Sequence, residues 1–471
     1  MMKTVTCYAL CLFAVFQLAA QVEFNPAGTS TNASAIFELT STDKGMLIPR
    51  MTTAQRTAIA APATSLLVFD TDTNSFWFFN GVAWTNLIPQ SVLADADNDT
   101  KIQVEESLDE DIIRFDLTGS ERLVLQQNGS GHPRLELLDA GDNLFVGEAS
   151  GFSNSTGLSN TFLGRNAGIL NTTGSENVFV GANAGGSTTT ESANTFVGFS
   201  AGGSNTSGSL NVFIGNDAGL ANTTGDNNTF LGQAAGMNNT TGFQNTFTGQ
   251  GAGDSNANGT NNSFFGFNSG TAVIGSGFNS FFGSQAGSSN TAGSNSFFGA
   301  SSGRLNVTGL RNAFFGAESG ENNTGSDNNF FGFQSGRMNT AGTRNAFFGA
   351  SSGDVSTGDD NSFFGYNTGG VNTSGEQNTF VGSGSGDNNT TANNNSFFGF
   401  SSGGGTSTGD RNAFFGAAAG ANNTTAALNS FFGFNSGGLN TTGAQNAFFG
   451  AQAGGSNSTA SENSFFGFAS G

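Results

Sequence analysis

The sequence has 471 residues, of which 72 are Gly, 50 are Phe and only 10% are charged, and its formal net charge is −20. Such an acidic chain lacks the basic surface that nucleic acids and anionic membranes require, which argues against both as partners. The single His, His132, leaves little material for His-based catalysis or a His metal site, and its Gly-Ser-Gly-His-Pro context predicts an exposed turn.

Residues 1–21 predict a secretory signal peptide. Lys3 precedes the apolar stretch Val5–Phe16, and small residues before Gln21 provide a cleavage site. The apolar stretch is too short to span a bilayer comfortably, so we expect no membrane span in the mature chain. Both cysteines, Cys7 and Cys11, lie inside this segment. The mature protein should therefore hold together without disulfides even in an oxidising compartment.

Residues 22–94 predict a small β-meander module. The meander itself should comprise strands at Leu66–Phe69, Ser75–Phe79 and Val82–Leu87, with the last two joined by an Asn80-Gly81 hairpin turn. Its two tryptophans, at positions 77 and 84, are interpreted as core residues and not as a ligand platform.

Residues 95–140 predict an acidic, β-rich connector that begins with a candidate calcium loop. Asp95, Asp97, Asp99 and Glu106 occupy positions 1, 3, 5 and 12 of such a loop. Thr100, however, stands where the tight turn requires Gly, and no flanking helices are evident. We therefore favour a solvated acidic turn between strands, with calcium as the alternative and no other cofactor expected.

Residues 141–471 contain twenty copies of one repeat, spaced by 17 residues except for three steps of 16. Each copy reads Asn, any residue, Phe, a second residue that is apolar in nineteen copies, and Gly. After three more residues, the last of them small, a second Gly follows. Representative positions in two successive copies are Asn429, Phe431, Phe432, Gly433 and Gly437, then Asn446, Phe448, Phe449, Gly450 and Gly454.

This fixed period predicts an all-β fold, a parallel β-solenoid or β-roll of twenty coils of about 17 residues. The short aromatic strands are bounded by Asn and Gly, and the two Gly positions should supply corners with positive φ. The aligned Asn side chains should form a ladder along the roll. A disordered Gly/Ser/Asn-rich linker is the alternative, but disorder does not require Phe in one phase throughout.

The paired aromatics predict that the roll is homotrimeric. Alternate strand residues face opposite sides, so Phe431 shares a face with Asn429 while Phe432 points the other way. One apolar face fills the coil, and the other needs a cover, for which copies of the chain in cyclic symmetry are the simplest source. A monomeric coil that folds its own polar half over the second face is the competing possibility.

The residue after the first Gly alternates between large and small in the carboxyl-terminal coils, which predicts interdigitation of neighbouring coils. The alternation runs through Ala317, Phe333, Ala350, Tyr366, Ser383, Phe400, Ala417, Phe434, Ala451 and Phe468. Duplication of a two-coil unit is the alternative explanation.

The N-S-F-F-G and N-T-F-V-G units of residues 143–471 resemble the head repeats of trimeric autotransporter adhesins (YadA-like), which are trimeric left-handed β-rolls on bacterial surfaces. Residues 22–94 and the repeat array also resemble secreted bacterial proteins related to phage tail fibres. These resemblances imply a secreted or bacterial cell-surface location. The array stops at Gly471 on the last fixed repeat position, so we expect the sequence to be a fragment of a longer chain.

The function expected from these features is that of an extracellular adhesive fibre, not an enzyme, that attaches to a host or microbial cell surface, a glycan or matrix. The alternatives are a monomeric ice- or carbohydrate-binding solenoid and, less favoured, a tail-spike-like glycan hydrolase. N-T-F-V-G resembles a unit of one plant ice-binding roll, but Thr follows the Asn in only five copies. The acids of the repeats keep no fixed phase, so no carboxylate pair recurs for hydrolysis.

Overall fold

The computed structural model describes residues 22–24, 37–39, 41–87, 92–94, 99–104, 112–127, 133–137 and 141–471. The chain forms two compact units, Met1–Glu136 and Leu137–Gly471. The predicted signal peptide and His132 lie outside the described residues.

The amino-terminal region is β-rich, as expected. Strands β1 (Val22–Phe24) and β2 (Phe37–Leu39) pair in parallel. A four-stranded sheet follows with the order β3-β4-β5-β6, and a five-stranded sheet has the order β11-β10-β9-β8-β7. Their bounds are β3 (Arg50–Met51), β4 (Leu67–Asp70), β5 (Ser75–Phe79), β6 (Trp84–Asn86), β7 (Val92–Ala94), β8 (Lys101–Val104), β9 (Ile113–Leu117), β10 (Ser120–Gln127) and β11 (Pro133–Leu137). Between β3 and β4 lies the short helix α1 (Thr53–Thr57).

The predicted meander is confirmed as the antiparallel strands β4, β5 and β6. Its last strand begins at Trp84 and not at Val82, because Asn80 holds a longer turn. The Asn80 side chain accepts hydrogen bonds from the N–H groups of Val82 and Ala83 at 2.9 and 2.8 Å. The Asn80 N–H donates to the Ala83 carbonyl.

The repeats form the predicted parallel β-solenoid, with one three-residue strand in each of twenty coils. All twenty strands pair in parallel with equivalent residues opposite one another, as Phe431 faces Phe448 and Phe432 faces Phe449. These strands are β12 (Leu144–Val146), β13 (Thr161–Leu163), β14 (Val178–Val180), β15 (Thr195–Val197), β16 (Val212–Ile214), β17 (Thr229–Leu231), β18 (Thr246–Thr248), β19 (Ser263–Phe265), β20 (Ser280–Phe282), β21 (Ser296–Phe298), β22 (Ala313–Phe315), β23 (Asn329–Phe331), β24 (Ala346–Phe348), β25 (Ser362–Phe364), β26 (Thr379–Val381), β27 (Ser396–Phe398), β28 (Ala413–Phe415), β29 (Ser430–Phe432), β30 (Ala447–Phe449) and β31 (Ser464–Phe466).

The core of the solenoid is a continuous stack of the first Phe of each pair. Phe431 and Phe448 are fully buried, and their ring centroids lie 4.8 Å apart with an interplanar angle of 4°. Only the end rings, Phe145 and Phe465, are partly buried. The ring separation equals the usual distance between paired strands, so ring stacking and the β-ladder impose the same rise per coil.

The strand Asn forms the predicted ladder, mainly through side-chain bonds to backbone groups. Amide-to-amide bonds join it at a few positions, such as Asn245 Nδ2 to Asn228 Oδ1 at 3.2 Å. The Asn429 N–H donates to Asn412 Oδ1 at 3.0 Å, and Asn429 Nδ2 donates to the Gly443 carbonyl at 2.9 Å. The Asn429 side chain itself bonds toward the following coil, since its Oδ1 also accepts from the Asn446 N–H at 2.9 Å. Because these groups are buried, the bonds prevent the large penalty of an unpaired polar atom.

A second Asn row, which the predicted repeat unit did not include, lies seven residues after the first Gly. Asn440 Nδ2 donates to Asn423 Oδ1 in the preceding coil and to the Gly443 carbonyl, both at 2.9 Å. The signal in the sequence is the recurring Asn-Thr-Thr. Val273 interrupts the row, and its neighbour Asn256 has neither amide atom bonded.

The repeat glycines are needed for close approach as well as for φ. Gly437 has φ +59, and a Cβ there would lie 2.4 Å from the Phe431 ring of its own coil. Gly433 has φ +137, and a Cβ there would lie 2.5 Å from the carbonyl oxygen of Gly450. Gly450 and Gly454 repeat the same two roles one coil later.

We expect Gly185→Ala to destabilise the solenoid by more than about 1 kcal/mol, because Gly185 has φ +58 and a Cβ would meet the Phe179 ring at 2.5 Å. The adjacent Gly186→Ala is the matched control, since a Cβ there meets nothing closer than 3.3 Å. Denaturant unfolding of both variants tests the difference, and equal stability would contradict the packing assigned to the second Gly.

We expect Val273→Asn to raise the stability by about 1 kcal/mol, because it restores the second Asn row between Asn256 and Asn290. The reciprocal change, Asn440→Val, removes bonded amides from an intact part of the row and should be destabilising. Thermal unfolding of the two variants provides the check. A less stable Val273→Asn protein would show that the row does not stabilise the fold.

Candidate interaction surfaces

The second residue of each aromatic pair forms a column on the outside of the solenoid, which we term the outer ladder. Phe432 and Phe449 belong to it, with ring centroids 4.8 Å apart and an interplanar angle of 4°. Phe rings stack continuously from Phe265 to Phe364 and again from Phe398 to Phe466. In most coils between Val146 and Leu231 the column is aliphatic.

The outer ladder remains at the surface of the chain. Six of its twenty members are 36–68% exposed, among them Leu231 and Phe364, and the other fourteen are half-buried. The inner Phe of each complete coil is fully buried. The polar half of each coil therefore covers this column only in part. A stripe of apolar side chains therefore follows the sheet over twenty strands, about 95 Å at the usual strand spacing.

A second exposed column lies one residue after the first Gly of each coil. Its aromatic members, which we term the corner row, are 46–78% exposed. The predicted interdigitation with neighbouring coils is therefore wrong, because these rings point into solvent. The corner row comprises Phe199, Phe267, Phe333, Tyr366, Phe400, Phe434 and Phe468.

In the amino-terminal region, a buried ion pair joins α1 to the sheet. Arg56 Nε donates to Asp70 Oδ2 at 2.8 Å, and the Arg56 guanidinium carbon lies 3.8 Å from the centre of the Trp77 ring. Trp84 lies on the same guanidinium at 5.6 Å. Both tryptophans thus pack around a buried cation, as cation–π geometry favours.

Asp70 stays ionised because it is fully hydrogen-bonded. Its burial raises the pKa, but hydrogen bonds from Arg56, from the Thr53 hydroxyl and from the N–H groups of Asp72 and Thr73 lower the pKa to about 2. The Asp70 carboxylate therefore bonds both to the first turn of α1 and to the turn between β4 and β5, and so links the two.

The opposite face of this sheet carries an exposed apolar patch, which we term the Phe76 patch. Met46, Leu47, Phe69, Phe76 and Arg50 line a shallow cavity of about 200 Å³. Leu47 is 84% exposed, and the Arg50 guanidinium lies 5.2 Å from the Phe69 ring. Such a cluster is typical of a surface that another chain covers.

Of the candidate calcium ligands, Asp95, Asp97 and Glu106 lie outside the described residues. Asp99 accepts a hydrogen bond from the Thr100 hydroxyl at 3.2 Å, and its carbonyl accepts one from the Gly119 N–H. Within the described part of the chain, no group of three or more His, Cys, Asp or Glu side chains could hold a metal ion.

Several repeat acids link neighbouring coils through Arg. Arg311 binds Asp327 and Arg344 binds Asp360, each through two nitrogen–oxygen contacts. Their hydrogen bonds to Arg lower the pKa of Asp327 and of Asp360. Desolvation raises the pKa of Asp354 despite its contact with Arg337. The lowered pKa values of Asp327 and Asp360 favour their ionised forms, which suits ionic links between coils.

Residues 27–101 match the family model described as the phage tail like trimerisation region. No curated protein and no solved structure matches the chain. The match and the β-solenoid together fit a tail-fibre-like protein. Among the described residues, no helix is long and apolar enough to cross a membrane.

We expect the stability of the Arg56–Asp70 cluster to be constant above about pH 4, the ordinary pKa range of Asp, and to fall as the pH falls through about 2. The stability falls at low pH because the pKa of Asp70 is lower in the folded state than in the unfolded state, so protonation favours unfolding. Trp77 and Trp84 are the only tryptophans, so their fluorescence reports on this cluster alone.

The Asp70→Asn variant is the control for this pH dependence. It keeps the shape of the side chain but removes the titrating group, so its fluorescence should not show the acid transition near pH 2. A transition of unchanged midpoint in this variant would assign the pH dependence to other acids.

Proposed function

We propose that the protein is an extracellular, homotrimeric structural fibre that attaches to a cell surface, a glycan or matrix. The observation that carries the proposal is the outer ladder, an apolar column that the chain leaves partly exposed along the solenoid. The match of residues 27–101 to a trimerisation region supplies an independent reason to expect three chains.

The outer ladder offers enough surface for a stable contact between chains. Roughly 50 Å² of apolar surface from each of twenty coils amounts to on the order of 1,000 Å² per chain. Standard protein interfaces bury about 800 Å² on each partner. Three copies in cyclic symmetry would place their outer ladders against one another and leave no copy with an uncovered apolar stripe.

The Phe76 patch is the proposed contact within the trimerisation region. Its exposed side chains lie between residues 46 and 76, inside the matched segment. Two chain segments far apart in sequence would then each contribute an apolar surface to the same assembly. Secretion to the outside of a bacterial cell is part of this proposal and rests on the predicted signal peptide and the tail-fibre-like features.

The proposed role is structural and not enzymatic. The repeat acids with lowered pKa values are bound to Arg within the coil stack, as Asp327 is to Arg311. The hydrolase alternative requires a carboxyl group with a raised pKa close to an ionised partner. Asp354 has a raised pKa and Glu318 lies near it, but both carboxylates are paired with Arg337.

We expect residues 22–471 to have three times the mass of the chain in light scattering. Replacing Phe315, Phe331, Phe348 and Phe364 by Thr should weaken the trimer at least tenfold, because each change removes an apolar contact. Thr is tolerated in this column, since Thr248 occupies it naturally.

The matched control replaces four exposed apolar residues outside the outer ladder by Thr, namely Phe152, Leu158, Phe243 and Leu439. This control should remain trimeric. A wild-type monomer, or equal dissociation of the two quadruple variants, would contradict the proposed interface.

A further inference from the structure

The aromatic residues of the corner row lie only on even-numbered coils, and from Phe333 onward they occupy every second coil. Numbering the coils from the amino terminus, its aromatic residues occupy coils 4, 8, 12, 14, 16, 18 and 20. No odd-numbered coil carries an aromatic residue at this position. The odd coils instead carry Glu148, Ala182, Asn216, Gln250, Ser284, Ala317, Ala350, Ser383, Ala417 and Ala451. Every pair of rings in the row is therefore separated by an even number of coils.

The spacing of the rings follows from the coil stack beneath them. Inner Phe rings of adjacent coils lie 4.8 Å apart at Phe397–Phe414 and at Phe414–Phe431, with interplanar angles of 6°. Two coils therefore advance about 9.5 Å with little rotation. From Phe333 to Phe468 the row places five rings at this interval.

The backbone holds these rings in position. The carbonyl of Phe333 accepts a hydrogen bond from the Ser351 N–H at 2.9 Å, and the Phe400 carbonyl accepts one from the Ala418 N–H at 2.9 Å. The Phe434 carbonyl is bonded in the same way to Gln452. Since each corner is bonded to the next coil, the backbone positions that carry the rings form a regular row.

The row combines apolar faces with polar groups. Tyr366 and Phe400 are each 65% exposed, and Ala or Ser on the coils between them leaves the rings separated by gaps. Each aromatic residue from 333 to 434 is followed directly by an amide or hydroxyl side chain: Gln334, Asn367, Ser401 and Asn435. Aromatic faces with adjacent hydrogen-bonding groups are the chemistry by which proteins bind sugars, because a pyranose has an apolar face and polar edges.

We propose that the corner row binds an extended, neutral β-1,4-linked polysaccharide such as cellulose or chitin. In such a chain successive sugars are turned over, so the same pyranose face recurs once per disaccharide, at a repeat close to two coils of the solenoid. The net charge of −20 disfavours polyanionic glycans. This proposal rests on the attachment role proposed above and names its ligand class.

The first test measures depletion of the chain (residues 22–471) from solution by microcrystalline cellulose and by chitin. Amylose is the ligand control, since its α-1,4 linkage gives a helical chain without the extended repeat. We expect binding to cellulose, to chitin or to both, which identifies the sugar, and none to amylose. No binding to either β-1,4-linked polymer overturns the proposal.

The second test removes the rings without disturbing the fold. Replacing Phe333, Tyr366, Phe400 and Phe434 by Ala uses the residue that several odd coils carry at this position. We expect at least a tenfold loss of binding. The double variant Phe152→Ala with Phe243→Ala, which removes exposed rings elsewhere, should bind as the wild type does. Undiminished binding by the quadruple variant overturns the proposal.

The third test separates ring spacing from general hydrophobicity. Phe400→Ala combined with Ala417→Phe keeps the number of aromatic residues but moves one ring to an odd coil. If apolar surface alone drives binding, this double variant should bind the polysaccharide as the wild type does. If the ring spacing must match the disaccharide repeat, the variant should bind several-fold more weakly.

Light scattering on the same samples distinguishes this proposal from the fibre proposal. A trimer that binds neither β-1,4-linked polymer overturns the glycan assignment alone. A monomer that binds cellulose or chitin, and loses binding in the quadruple Ala variant, supports the glycan assignment and overturns the trimeric fibre.

Discussion

The inner Phe stack is the constraint on which the solenoid depends. Rings stacked at 4.8 Å can remain in contact only if every coil advances by one strand spacing and hardly rotates. That requirement explains why the repeats pair in parallel with equivalent residues opposite one another. It also explains the second Gly, since any side chain at Gly437 would collide with the ring of Phe431. The two Asn rows then provide hydrogen bonds to buried backbone polar groups of the coil.

Once the inner stack is fixed, the outer surface of the solenoid follows from strand geometry. The residue after each inner Phe must point outward, so an apolar residue there becomes part of a continuous column. The corner row arises in the same way, because one position per coil is repeated at a constant rise. A solenoid thus converts a sequence period into a spatial period. The two proposals use separate columns: the outer ladder for contact between chains and the corner row for contact with a glycan.

The repeat unit predicted the fold well because each fixed residue has one role in every coil. The strands, the inner position of Phe431 and the outward position of Phe432 all follow from alternation. The sequence could not reveal that the Asn429 side chain would bond to backbone, since the amide can pair equally with another amide. The alternation of large and small residues at Phe434 and Ala451 also could not show whether the rings pack between coils or point into solvent. The same residues are compatible with either arrangement. The calcium loop remains a prediction, since three of its four acids lie outside the described residues.

A cryo-electron microscopy map of residues 22–471 tests the central claim most directly, because it shows both the coil stack and what covers its outer face. The account predicts three parallel solenoids around one axis, each with its inner Phe rings stacked at 4.8 Å and with the outer ladders, including Phe348 and Phe432, facing that axis. Isolated solenoids with the outer ladder open to solvent would contradict the proposed assembly. Coils without a continuous inner ring stack would contradict the fold itself.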